Sequence, residues 1–248
     1  MSREATRRLI VALDFDRLSP AYEIAERLAG FAGMFKIGSQ LFTAEGPRAV
    51  ERLAKLGPGI FLDLKFHDIP NTVAGAVAAA AGLRGVRLIN VHALGGLQMM
   101  RAAARALAGY KERGSRPKLL GVTVLTSLDA AAMRQAGIAG QPLMGALKLA
   151  QLVRQAGLDG VVASAHEVAA IRHKCGKRFL IVVPGVRPAS LRVRGGRDDQ
   201  ARVATPAEAI HAGADCIVVG RPITGARDPR AAALVILEEI RRAQQQRV

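Results

Sequence analysis

Short apolar runs recur along the chain at regular intervals, separated by longer stretches with helical spacing. Each run is rich in Val, Ile and Leu on successive positions, which is typical of strands buried on both faces of a parallel sheet. We predict eight strands, at 9–14, 34–38, 60–65, 86–92, 119–126, 160–164, 179–184 and 216–220. The amphipathic stretches between them predict helices, among them 21–29, 47–56, 73–83, 96–107 and 143–155.

Eight strands that alternate with helices predict the α/β class and a single (β/α)8 TIM barrel over residues 1–248. Barrels of this kind commonly have about 250 residues. An open, doubly wound sheet is the alternative, and it would need a glycine-rich phosphate fingerprint after the first strand. Asp14, Phe15 and Asp16 stand there instead, and no long linker divides the chain. The barrel is therefore the favoured architecture.

Composition changes this picture in one respect, the charge. Hydrophobic residues make up 50% of the chain and aromatic residues only 4%, so Ala, Val, Leu and Gly must form most of the core. The formal net charge is +16. Because the basic residues are spread along predicted helices without interleaved aromatics, a solvated surface is the favoured explanation. Nucleic-acid binding and the attraction of phosphate ligands remain alternatives.

Cysteine usage and apolar segment lengths indicate a soluble cytoplasmic protein. Cys175 and Cys216 are far apart and lie in no metal-ligand spacing, which favours buried thiols in a reducing compartment. The apolar run at 9–13 is interrupted by Asp14 and is too short for a signal peptide. We expect no zinc site, no disulfide and no membrane segment.

The most informative segment is 61–72, where three charged residues follow an apolar run. Asp63 and Lys65 are two apart on a predicted strand, so their side chains share one face. Asp68 comes just before Pro70, where regular pairing should end. Burying such groups is costly unless they pair or perform a task. A strand-end salt bridge and a catalytic cluster are both compatible with this spacing.

The barrel places polar residues from several strands at one rim, because barrel active sites form at the carboxyl ends of the strands. Such residues recur at or after seven of the predicted strand ends: Asp14, Lys36, Asp63, Lys65, Asn90, His92, Thr126, Ser127, Arg187 and Arg221.

Strands seven and eight of such barrels often share a phosphate site. Here they lead into Gly185-Val186-Arg187 and Gly220-Arg221, where glycine permits close backbone approach and arginine can bind phosphate with two hydrogen bonds. The polar segment 188–204, which contains Gly195-Gly196, is too long for an ordinary connection. We interpret it as a mobile lid over the phosphate site, with an ordinary surface loop as the alternative.

Taken in order, these motifs resemble the orotidine 5′-phosphate decarboxylase family over nearly the whole chain. The matching segments are 11–14, 35–38, 63–72, 124–127, 184–188 and 219–223, and the third is the most specific. The resemblance implies decarboxylation of orotidine 5′-phosphate to UMP in pyrimidine synthesis. It also implies a homodimer, and no cofactor or metal ion.

The resemblance also implies roles for individual residues. Lys65 is similar to the proton donor to C6 of the pyrimidine, and Asp63 to the carboxylate set against the substrate carboxylate. Lys36 and Asp14 match groups that bind the ribose, with Lys36 also in the charge network. The residues expected to reach the neighbouring subunit's site are Asp68, Ile69 and Thr72.

The remaining implied contacts concern the base and the phosphate. Thr126 and Ser127 resemble the pair that recognises the pyrimidine. The phosphate site would comprise Arg187, Gly220 and Arg221, with Gln200 of the lid joining phosphate and base. The lid departs from the family pattern because it is longer and carries the additional residues Arg192, Arg194 and Arg197.

Two other functions remain open on the sequence. A sugar-phosphate aldolase of the same barrel superfamily shares the D-x-K-x-x-D motif and would use Mg²⁺ to stabilise an enediolate. Thr126, Ser127 and the lid favour the nucleotide enzyme. A basic nucleic-acid-binding protein is supported by the charge alone. We interpret His67 and His92 as structural hydrogen-bonding residues and assign them no catalytic role.

Overall fold

The eight predicted strands are present in a computed structural model, which describes residues 2–110, 116–188 and 204–246. They pair in parallel and in chain order, and the last strand pairs with the first to close the barrel. The strands are β1 (Leu9–Ala12), β2 (Met34–Gly38), β3 (Gly59–Phe66), β4 (Val86–His92), β5 (Lys118–Val122), β6 (Gly160–Val162), β7 (Leu180–Val183) and β8 (Cys216–Val219).

Helices surround the barrel in the order α1 (Arg3–Arg8), α2 (Leu18–Leu28), α3 (Ser39–Glu45), α4 (Pro47–Ala54), α5 (Pro70–Gly82), α6 (Gly96–Ala108), α7 (Ala130–Gln135), α8 (Pro142–Gln155), α9 (Val168–Cys175), α10 (Pro206–Ala212), α11 (Arg221–Thr224) and α12 (Pro229–Gln245). Six of them, α4, α5, α8, α10, α11 and α12, have proline in the first turn. Its fixed φ suits that position and the missing N–H costs nothing there.

Two apolar layers hold the barrel together. Side chains that point inward from alternate strand positions fill its interior, among them Ile10, Phe61, Leu120 and Val182. The intervening positions pack outward against the helices and form the larger cluster. This double burial explains why the strands appear in the sequence as continuous apolar runs.

The (β/α)8 prediction is confirmed, but several strand ends were wrong. The fifth strand was predicted over 119–126 and ends at Val122, while the first ends at Ala12, two residues before Asp14. Leu13 and Val124, beyond these ends, are buried apolar residues in loops, so the sequence there resembles a strand in hydrophobicity. Helix α1 was not predicted, and it packs against β1, β8 and α12. Among the described residues, no helix has the length and apolar character needed to cross a membrane.

Candidate active site

A cavity of about 550 Å³ opens at the carboxyl ends of the strands. This volume is within the usual range for small-molecule sites. Its floor is apolar and includes Phe61, Val122, Val162 and Val218. The predicted site residues that the structure brings together around it are Asp14, Lys36, Asp63, Lys65, Thr126, Arg187, Gly220 and Arg221.

Asp63 is the centre of a charge network at one side of this cavity. Its Oδ1 accepts a hydrogen bond from Lys65 Nζ at 2.8 Å, and its Oδ2 forms an ion pair with Lys36 Nζ at 3.4 Å. Lys36 Nζ also donates to Asp14 Oδ1 at 2.9 Å. Carboxylates and ammonium groups therefore alternate along one chain, Asp14–Lys36–Asp63–Lys65. Asp63 is only 8% exposed, so this network lies in a medium that screens charge less than water.

Lys36 shows how the network balances burial against charge. Burial lowers the pKa of this side chain, but the Asp63 and Asp14 carboxylates together outweigh burial and raise the pKa above its usual 10.5. Lys36 therefore carries a positive charge at neutral pH although it is buried. Its side chain points into the barrel because side chains alternate along β2, and Phe35 and Ile37 on either side pack outward.

Lys65 has an unusual backbone conformation. Its φ is +49°, and it is the one non-glycine residue with positive φ in the described part of the chain. A lysine in this left-handed region costs roughly 1–2 kcal/mol. The strain coincides with a register shift, because Leu62 pairs with Ile89 while Phe66 pairs with Val91. Strand β3 thus carries two extra residues opposite β4, a bulge that directs the Lys65 side chain at the cavity.

Asn90 of β4 lies opposite this bulge, and the sequence did not mark it as a site residue. Its Nδ2 donates to Asp63 Oδ1 at 2.6 Å, and its Oδ1 accepts from the Lys65 backbone N–H at 2.8 Å. A polar residue at a strand end was the only signal in the sequence. Gln40, at the start of α3, also lines the cavity and was not predicted.

The loops after β7 and β8 contribute the predicted phosphate residues to the cavity. Arg187 and Arg221 follow β7 and β8, and Gly220 lies between the end of β8 and α11. The Arg187 N–H donates to Ala204 O at 2.9 Å, which ties together the two ends of the predicted lid. The amides of Ile223 and Thr224 donate to Gly220 O, so they are not available to an anion. The guanidinium groups are therefore the main candidates for holding a phosphate.

Of the two residues predicted to recognise the pyrimidine, one lines the cavity and the other does not. Thr126 lines the cavity, four residues beyond the end of β5. Ser127 is exposed and is not among the lining residues. Gln200 and the additional arginines of the lid, Arg192, Arg194 and Arg197, lie outside the described residues. So does the whole of 189–203.

Asp68, Ile69 and Thr72 do not line the cavity of their own barrel. All three side chains are exposed, and Ile69 is 66% exposed. Asp68 Oδ1 accepts a hydrogen bond from the Ile69 N–H at 2.6 Å, which turns the chain into α5. These exposed residues follow β3 and therefore lie at the cavity end of the barrel.

The two histidines near the site have structural contacts. The rings of His67 and His92 stack with centroids 5.4 Å apart. His92 Nδ1 accepts from the Leu94 N–H at 3.3 Å and so caps the turn after β4. Burial, followed by the charges of His67 and Lys65, lowers the pKa of His92 below its usual 6.5. The ring is therefore neutral at physiological pH.

Comparison with known proteins gives a consistent result over nearly the full chain. Residues 7–236 match the family described as orotidine 5′-phosphate decarboxylase / HUMPS. A protein of Trichlorobacter lovleyi named orotidine 5′-phosphate decarboxylase is 50% identical over 237 residues, covering 96% of each chain. One of the same name from Halorhodospira halophila is 52% identical and covers 97% of this chain and 98% of its own.

A solved structure is also similar. The crystal structure of orotidine 5′-phosphate decarboxylase from Lactobacillus acidophilus superposes with a TM-score of 0.82 at 40% identity. The superposition covers 94% of this chain and 99% of that one. The likeness therefore includes the whole barrel as well as the motifs at its rim.

Proposed function

The chain belongs to the orotidine 5′-phosphate decarboxylase / HUMPS family, and we propose that it converts orotidine 5′-phosphate to UMP and CO2. The relatives described above carry the name of that decarboxylase. The observation that carries the proposal is the contact of Lys65 Nζ with Asp63, in a network of alternating charge beside a cavity of nucleotide size.

The chemical difficulty of this reaction explains what Lys65 does. When the bond between C6 and the carboxyl carbon breaks, its electron pair stays on C6 in the plane of the ring, where conjugation cannot delocalise it. The Lys65 ammonium stabilises that charge electrostatically and then transfers a proton to C6. CO2 leaves, UMP remains, and the lysine regains its proton from solvent.

Asp63 acts on the other side of the same bond. It is proposed to face the substrate carboxylate, so that repulsion between the two negative groups is relieved as CO2 departs. Lys36 and Lys65 stabilise the Asp63 charge while this happens. A carboxylate that bonds two ammonium groups is also a poor ligand for Mg²⁺, since both cations would oppose the metal. This arrangement favours the decarboxylase over the Mg²⁺-dependent aldolase.

Binding of the remote parts of the substrate supplies energy for the reaction. We assign Asp14 and Lys36 to the ribose hydroxyls, and Thr126 with Ser127 to the base. The phosphate is assigned to Arg187, Gly220 and Arg221, with Gln200 joining phosphate and base. Interactions with non-reacting groups can be used to hold the base against Asp63 and Lys65.

We further propose a homodimer in which Asp68, Ile69 and Thr72 enter the partner's site. The exposed apolar side chains support it. Ile69, Leu94, Leu143 and Met144 are all exposed and follow three adjacent strands, β3, β4 and β5, at the cavity end of the barrel. An apolar patch at one rim is typical of a protein–protein interface. The exposed loop of Asp68 lies at the same rim.

The cysteines support a reducing compartment such as the cytoplasm. Both are free and buried. Burial, reinforced by Asp215, raises the pKa of Cys216 to about 12, so its thiol is unreactive at neutral pH. The nucleic-acid alternative has only the net charge of +16 in its favour.

The activity is tested by following the absorbance change from orotidine 5′-phosphate to UMP in the presence of EDTA. We expect turnover in EDTA and a loss of roughly 10²–10⁴-fold or more in Lys65→Ala. Lys118→Ala is the matched control, because Lys118 also pairs with an aspartate, at 2.9 Å, but at the other end of the barrel. Full activity in Lys65→Ala would contradict the mechanism, and activity that requires Mg²⁺ would favour the aldolase.

The shared site is tested by mixing inactive subunits. Lys65→Ala and Asp68→Ala subunits, co-expressed with different tags, would form mixed dimers with one intact site. With random pairing, activity should return to about a quarter of wild type, since half of the dimers are mixed. If the purified mixed dimer is as inactive as its parents, Asp68 does not serve the neighbouring site.

A further inference from the structure

Asn90 has two hydrogen bonds, and they run to the two halves of the Asp63–Lys65 pair. Its amide nitrogen donates to the Asp63 carboxylate at 2.6 Å, and its amide oxygen accepts from the Lys65 main chain at 2.8 Å. The side chain is fully buried on β4. A planar amide held at both ends fixes the separation and orientation of the groups it joins.

The bulge in β3 explains why these two hydrogen bonds of Asn90 are needed. Between Leu62 and Phe66 the strand advances four residues while β4 advances two, from Ile89 to Val91. The regular ladder between the strands is interrupted where Lys65 adopts positive φ. The Asn90 side chain accepts the Lys65 N–H within this interruption. It thereby holds in place a backbone conformation that a lysine would otherwise leave.

The hydrogen bond from Asn90 also gives the two carboxylate oxygens of Asp63 different partners. Oδ1 accepts from both Asn90 and Lys65, while Oδ2 faces Lys36. Rotation of the carboxylate about its χ2 angle would break the Asn90 bond. The plane of the carboxylate, and with it the location of the Lys65 ammonium, therefore depends on Asn90.

We propose that Asn90 is a positioning residue that sets the geometry of Asp63 and Lys65 for proton delivery to C6. The proposal rests on the decarboxylase function proposed above. Asn90 acts through these two residues and is not among those that line the cavity. Its loss should lower kcat and leave the binding of the product nucleotide largely unchanged.

Asn90→Ala is the first test, with Thr123→Val as its control. Thr123 is also fully buried and makes a hydrogen bond, to Val162 O at 3.2 Å, but it touches neither Asp63 nor Lys65. We expect kcat of Asn90→Ala to fall roughly 10²-fold, since small displacements of reacting groups have effects of that size. The affinity for UMP, measured by calorimetry, should change by less than about threefold. Thr123→Val should keep its kcat.

Asn90→Asp is the second test, because it keeps the acceptor for Lys65 and replaces the donor to Asp63. Two carboxylates at this distance favour sharing one proton. Protonation would restore a donor to Asp63, so kcat should recover as the pH falls. The groups around position 90 are Asp63 and Lys65 of β3, Lys36 of β2 and His92 of its own strand, while β5 presents Leu120 and Val122 there. Asn90→Ala lacks the introduced carboxyl and should show no such recovery.

A third measurement is independent of catalysis. Hydrogen exchange at the Lys65 amide should be roughly tenfold faster in Asn90→Ala than in wild type, because one hydrogen bond is lost. If wild type does not decarboxylate orotidine 5′-phosphate, the proposed function fails, and this exchange still decides whether Asn90 holds Lys65. The inference is overturned if kcat and UMP affinity fall together, if Asn90→Asp shows no acid recovery, or if Lys65 exchange is unchanged.

Discussion

The two ends of the barrel use the same kind of group, a buried or half-buried aspartate with several partners, for different purposes. At the cavity end, Asp63 is held by the side chains of Lys36, Lys65 and Asn90. At the opposite end, Asp159 and Asp215 each bind basic side chains and also a backbone N–H. The difference lies in whether the carboxylate is bound to the main chain.

The opposite end repeats one arrangement twice. Asp159 precedes β6 and accepts the Leu119 N–H of β5 at 2.8 Å, while Asp215 precedes β8 and accepts the Ile181 N–H of β7 at 2.8 Å. Arg116 and Lys118 bind the first, and Arg172 binds the second. Arg172 also donates to four backbone carbonyls, of Gly176, Lys177, Phe179 and Gly213.

The comparison teaches how to separate a stabilising carboxylate from a functional one. Asp159 and Asp215 join loops to strands, so each binds a main-chain N–H as well as basic side chains. Asp63 instead accepts its hydrogen bonds from side chains, next to a backbone with positive φ, and its partner Lys65 lines the cavity. Removing Asp159 or Asp215 should therefore lower the stability of the protein. Removing Asp63 at the cavity end should instead lower its activity.

The largest expected effect is on catalysis, in Asp63→Asn. We expect kcat to fall roughly 10²–10⁴-fold, as for other groups that act on charge in the transition state. The free energy of unfolding should change by less than about 2 kcal/mol, because the new amide oxygen can still accept from Asn90 and Lys65 remains partly in water. Steady-state kinetics and urea unfolding measure the two quantities. A large loss of stability with unchanged kcat would make Asp63 a structural residue like Asp215.

The next effect is on stability, in Arg172→Met. This change leaves four carbonyls and Asp215 without their shared donor, and we expect a loss of about 3 kcal/mol in the free energy of unfolding. The kcat of the folded enzyme should be unchanged, because the cavity lies at the other end of the strands. Arg178→Met, on the same face but in none of these hydrogen bonds, is the control for loss of charge. An effect on kcat would mean that the two ends are coupled.

The smallest effect is a dependence of stability on pH at the cavity end, through His92. The pKa of His92 is lowered in the folded protein, so the unfolded chain binds more protons below pH 6.5. Stability contributed by neutral His92 is therefore complete above 6.5 and is lost as the pH falls below it. Urea unfolding of wild type and His92→Asn between pH 5 and 8 measures this as a shrinking difference. A difference independent of pH would contradict the lowered pKa.

Much of the fold was predictable because a parallel barrel gives each strand two buried faces. The runs around Val11, Ile37 and Ile89 were therefore visible as strands. Their ends were not, since Thr123 and Val124 are as buried in a loop as they would be in a strand. Helix α1 was missed because its short, basic sequence has a single buried side chain, Ala5.

The site was predictable where it depends on alternation along a strand. Asp63 and Lys65 share a face because they are two residues apart, and the ends of parallel strands bring Lys36 and Arg221 to the same cavity. The hydrogen bonds of Asn90 to Asp63 and Lys65 were not predictable, because they require a two-residue shift between β3 and β4. Such a shift leaves no pattern in the spacing of apolar residues. The roles assigned to the site residues, including Ser127, Asp68 and Gln200, remain predictions.

The positive φ of Lys65 has a consequence for any attempt to improve this protein by selection. A glycine at position 65 would adopt the same backbone without the penalty that a lysine bears. A library screened for thermal resistance alone would therefore tend to discard the residue on which the proposed chemistry depends. Variants selected in this way should be thermally stable but inactive. Selection for stability would therefore have to be combined with a measurement of turnover.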